Sequence, residues 1–113
     1  MQLPLTDLAA VIRSKNAGPY ELTLDVIFRT EAGYRWVLDS GALDAATIAA
    51  AYRVPVEAVH WVAFHPARAI KATLRRPVVS GDVADTGVYG AQQHAPLLDL
   101  ILDLPDTGAT GGR

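Results

Sequence analysis

Leu22, Leu24, Val26 and Phe28 recur at every second position while Thr23 and Asp25 fill the places between them. That is the period of a strand with one face in a core and the other toward water, and it predicts a strand over Glu21–Phe28. Upstream, Thr6 is placed to cap a short opening segment. The stretch from Arg13 to Pro19 then brings Asn16, Gly18 and Pro19 together and breaks the periodicity, which reads as a first polar loop. Downstream, Glu31–Leu38 predicts a short helix ended near Gly41. Asp44 is placed to cap a second helix that runs through Tyr52 and stops before Pro55.

Glu57–Phe64 is rich in Val and aromatics, and Ile70, Ala72 and Leu74 alternate with Lys71, Thr73 and Arg75. These segments predict two more strands, antiparallel neighbours across the short His65–Arg68 connection. From Pro77 to Pro96 the chain turns polar and Gly-rich, a second loop with a helical turn near Ala91–His94. Leu97–Leu104 then reads as a last strand, with Asp99 and Asp103 on a solvated side. The order strand, two helices, two strands, loop or short helix, strand predicts an α+β ferredoxin-like sandwich. Its sheet is mostly antiparallel, with four to five strands and helices on one face. Leu22, Leu24, Val26, Phe28, Ile70, Leu74, Leu98, Leu100 and Leu102 are expected to supply its core face.

Composition narrows the function classes. A chain of 113 residues, half of them hydrophobic and 19% charged, has the size and apolar supply for one core. The expected organisation is a single domain over 1–105 and a disordered tail over 106–113. A formal charge of -2 and a pI near 5.8 carry no electrostatic footprint for nucleic acid or an anionic membrane surface. The absence of cysteine excludes disulfides, thiolate nucleophiles and Cys-based zinc sites. The opening Met1–Leu5 has neither a basic region nor a continuous apolar stretch, and no segment has the roughly 20 apolar residues of a membrane span. A cytoplasmic protein is expected.

Candidate chemistry falls in the two polar stretches. Arg13, Ser14, Lys15 and Asn16, followed by Gly18, set side-chain donors beside backbone that a ligand can approach closely. This suits a carboxylate or phosphate, and it serves a solvated turn equally well. The spacing is not that of a P-loop. Tyr89, Gly90, Gln92, Gln93 and His94 concentrate hydroxyl, amide and imidazole groups, with His94 the candidate acid or base and the others placed to position a substrate. The alternative is that these groups only satisfy the backbone of a long loop. Lys71 interrupts an apolar strand and is a third candidate cation. His60, His65 and His94 match no local metal motif, so no metal site is expected, and the residues specify no cofactor. Tyr34, Trp36 and Trp61 read as core or interface aromatics.

The segments at 13–19 (RSKNAGP), 22–28 (LTLDVIF), 70–73 (IKAT) and 89–98 (YGAQQHAPLL) together resemble a bacterial domain-of-unknown-function family. Its members occur beside, or fused to, proteins similar to the acyclic-terpene-utilisation protein AtuA. The resemblance covers about Leu5 to Leu102. It implies a small subunit of a heteromeric enzyme of carboxylic-acid or acyl-CoA catabolism, with hydration or lysis as the reaction class. AtuA-like proteins are similar in carrying a small C-terminal ferredoxin-fold domain, so the implied partner is an AtuA-like large subunit and the implied ligand a carboxylate or acyl-CoA thioester. A homo-oligomer stays open, as does a docking module without chemistry.

Overall fold

The period-two run over Glu21–Phe28 forms an inner strand of the main sheet. In a computed structural model, which describes residues 1–18, 21–75 and 95–105, β1 (Gln2–Pro4) and α1 (Leu5–Leu8) lead into β2 (Ala9–Gly18) and β3 (Glu21–Phe28). The helices α2 (Glu31–Ser40) and α3 (Ala45–Tyr52) follow. A 3₁₀ turn at Val56–Ala58 precedes β4 (Val59–Phe64), and a second at His65–Ala67 joins it to β5 (Ala69–Arg75). The described chain ends with α4 (Ala95–Leu98) and β6 (Ile101–Asp103). Four strands form one antiparallel sheet in the order β2-β3-β5-β4, while β1 and β6 pair separately.

The α+β class and the mostly antiparallel sheet are as the sequence predicts. β3 leads through α2 and α3 to β4, and β5 returns by a hairpin to lie between β3 and β4, which is the split βαβ unit of ferredoxin-like sandwiches. Both central helices have side-chain caps, Asp44 as expected and Thr30 in addition. Thr30 Oγ1 accepts from Gly33 N at 2.9 Å and Asp44 Oδ1 accepts from Thr47 N at 2.9 Å. Gly41, at φ 71°, ends α2 in the left-handed region that glycine occupies without strain.

Three sequence expectations are corrected. Residues 13–18 are not a loop: β2 runs through them, pairing Arg13 with Asp25 and Lys15 with Thr23, and a bulge between Asn16 and Gly18 absorbs the irregular residues. An edge strand with one uncovered face needs no apolar alternation on that face, so its polar residues concealed it. Nor is Leu97–Leu104 one strand. The C-terminal segment makes a helical turn and then pairs only three residues, with β1 and not with the four-stranded sheet. That changes its phase. Leu97, Leu102 and Leu104 are buried, whereas Leu98 is 42% exposed and Leu100 half-buried. Thr6, expected as a cap, lies inside α1, which is entered from Pro4.

The core lies between one face of the sheet and the helices. Leu22, Leu24, Val26 and Phe28 of β3, with Ile70, Ala72 and Leu74 of β5, pack into one cluster with Leu5, Tyr34, Val37, Leu43, Ile48 and Leu97. Each buried aliphatic side chain stabilises this layer by about 1.5–3 kcal/mol. Buried polar atoms of the aromatics find partners: Trp36 Nε1 donates to the Pro105 carbonyl at 2.8 Å, and Trp61 Nε1 donates to that of Leu43 at 2.9 Å. The Tyr34 hydroxyl hydrogen-bonds His65 Nδ1 at 2.5 Å. Burial pushes the Tyr34 phenol above its ordinary range, so at neutral pH it keeps its proton.

Candidate functional site

The sheet's other face positions the candidate chemistry. Opposed residues of an antiparallel ladder project to the same side, so the strand registers sort the side chains into rungs across the sheet. Val11, Ile27, Ala69 and Phe64 form the first rung, and Arg13, Asp25, Lys71 and Val62 the second. Lys15, Thr23, Thr73 and His60 form the third, and Glu21 faces Arg75 at the end. Along the strands the face passes from apolar to polar.

Asp25 is the centre of this face. Its two carboxylate oxygens accept from different strands, Oδ2 from Arg13 Nε at 3.0 Å and Oδ1 from Lys71 Nζ at 3.3 Å. The Asp25 side chain is only 15% exposed, against 60% for Arg13 and 45% for Lys71. The carboxylate therefore anchors two cations whose remaining donors reach solvent. Arg13 keeps its terminal nitrogens for a second carboxylate, and Lys71 keeps other N–H donors. Lys15 lies one rung further on the same face, opposite Thr23, and adds a third cation to it.

Beyond the third rung lies an open depression of about 290 Å³, lined by Glu21, Glu57, Ala58, Val59, His60, Thr73 and Arg75. It offers a guanidinium, an imidazole and a hydroxyl beside two carboxylates, a polar lining for a small ligand. Among the described residues no group of three or more His, Asp or Glu side chains is placed to hold a metal ion. Nor is any helix there long and apolar enough to cross a membrane.

Of the residues singled out from the sequence, Arg13, Lys15 and Lys71 share the open face, and Asp25 joins two of them. Ser14 and Asn16 stand opposite Leu24 and Leu22, so they belong to the other side of β2. Gly18 pairs with Glu21 at the bulge that ends the hairpin. Tyr89, Gly90, Gln92, Gln93 and His94 lie outside the described residues, as does the 106–113 tail. The sequence reading missed Asp25 as a bridge and His60, Glu57, Glu21, Thr73 and Arg75 as lining residues. A signal was present: Thr23, Asp25, Lys71, Thr73 and Arg75 are the polar alternates of two predicted strands, and pairing those strands places them together.

The fold and face define an α+β sandwich domain with helices on one side of its sheet and a cation-bearing face on the other. The chain belongs to the family described as Domain of unknown function (DUF4387), whose model matches residues 5–101. No protein of curated function and no solved structure matches it.

Proposed function

We propose that this domain is the small subunit, or an accessory domain, of a heteromeric AtuA-like enzyme of carboxylic-acid or acyl-CoA catabolism, with hydration or lysis as the reaction class. The observation that carries the reading is the open sheet face, which Arg13, Lys15 and Lys71 share with one half-buried carboxylate. Three cations against one anion leave a surplus that a substrate carboxylate or a phosphate would neutralise. A flat face does not enclose a ligand, and an enclosed pocket is what binds small molecules tightly. The large subunit would close the site. In this reading Tyr89, Gly90, Gln92 and Gln93 position the substrate and His94 serves as acid or base.

A second reading has its own observation. Val11, Val62 and Phe64 are 38%, 40% and 45% exposed on the same face, as a docking module without chemistry would have them. Co-expression with the AtuA-like protein, followed by assay of the purified pair on carboxylates and acyl-CoA thioesters, separates the two. Lys15→Ala and His94→Ala should reduce turnover by at least tenfold with the complex intact. Loss of the complex in these variants supports the docking reading, and unchanged turnover removes both residues from the chemistry.

A further inference from the structure

The open face is divided, and its apolar end has a different use from its polar end. Val11, Ile27, Ala69 and Phe64 form a rung that crosses all four strands, with Val62 beside it in the next. Ala69 is already buried in this rung, while Phe64, Val62 and Val11 stay exposed. The helices that cover the sheet pack on its opposite side, with Phe28, Val26 and Ile70. An aromatic and two branched side chains gathered on a sheet face that no described helix covers are therefore an interaction surface rather than scattered exposed apolar residues.

The border of this patch says what fits it. Arg13 and Lys71 flank it with Asp25 between them, and Lys15 lies one rung beyond, so its edge is net positive. Four strands spaced about 4.8 Å apart make a face roughly 20 Å wide, wide enough to seat a helix about 10 Å across. A second copy would bring another positive border toward this one in a desolvated setting, whereas a carboxylate-flanked helix would neutralise it. We infer that the Val11–Phe64 end of the sheet receives an amphipathic helix of the large partner, its apolar stripe on Val11, Val62 and Phe64 and its acidic flank on Arg13 and Lys71. This rests on the two-subunit reading and names the surface that reading requires.

The test uses the full chain with the co-expressed AtuA-like protein, measuring affinity by titration at low and high salt. Phe64→Ser should weaken binding by roughly tenfold, as loss of a buried aromatic anchor does. Lys71→Glu should weaken it further at low salt and lose most of that effect at high salt. Val56→Ser is the control, because Val56 is 48% exposed on the turn before β4, away from the patch, and it should bind as the unaltered chain does. A photo-crosslinker at Val62 should label an acidic helix of the partner. Thermal unfolding of each variant separates lost contact from lost fold, and Val62→Ser repeats the test if Phe64→Ser does not fold. A complex that forms and is indifferent to these changes overturns the helix assignment and leaves the two-subunit reading standing. No complex with the unaltered chain overturns both. Self-association abolished by Phe64→Ser overturns the assignment in favour of a second copy.

Discussion

Asp25 shows how one side chain organises a face. It sits in the middle of a strand whose alternate residues are all in the core, and it accepts from Arg13 on one neighbouring strand and Lys71 on the other. Because both cations remain more than a third exposed, solvent screens each pair and neither contributes much to stability. Asp25→Asn should therefore lower unfolding free energy by no more than about 1 kcal/mol while weakening carboxylate binding by the assembled pair, a combination that denaturation and ligand titration together would reveal. Equal loss of stability and binding would make Asp25 a structural residue only. Leu24, one position earlier, is the contrasting case. It is 1% exposed in the core, and Leu24→Ala should cost about 2–5 kcal/mol, read as a lowered denaturation midpoint. An unchanged midpoint would contradict the strand phase.

Among the elements, α2 and α3 were legible in the sequence because boundaries are written in local chemistry: Asp44 at the start of α3, Gly41 at the end of α2. Asp44→Ala should cost about 1 kcal/mol, measurable by thermal unfolding, and no change would show the cap to be replaceable by water. β3 and β5 were legible through alternation, and β4 through its Val and aromatic content. β2 was not, because its partner is fixed by register with β3 and its outward residues answer to the open face. The same non-local logic hid the C-terminal turn, where a run of leucines satisfies either a strand or a helical period until its neighbours are known. Leu97 and Leu98 discriminate them. Leu97→Ala should cost about 2–5 kcal/mol and Leu98→Ala well under 1 kcal/mol, since the first is buried and the second exposed; the reverse ranking would restore a continuous strand. The candidate site was half visible for the same reason, as Arg13, Lys15 and Lys71 stand out as residues while their sharing of one face, and the meeting of Arg13 and Lys71 at Asp25, is a property of strand order.

At the scale of the whole molecule, one sheet separates two environments. The helical side buries a continuous core, and both ends of the described chain meet, as the Met1 amino group donates to the Leu104 carbonyl at 2.8 Å and Leu104 N donates to the Met1 carbonyl at 2.8 Å. The other side keeps cations, a carboxylate, a polar depression and an apolar rung in the open. A fold whose core is complete on one side should be stable alone, and a face that no described residue encloses is the one the proposed large subunit would close. The most direct measurement is thus steady-state turnover of the purified chain, of the AtuA-like protein, and of the two mixed, on the same carboxylates and acyl-CoA thioesters, with folding of the small chain verified by cooperative unfolding. The two-subunit account predicts a cooperatively folded small chain without activity, and turnover that rises at least tenfold on mixing and saturates as the complex fills. Turnover by the small chain alone at the rate of the mixture would contradict it.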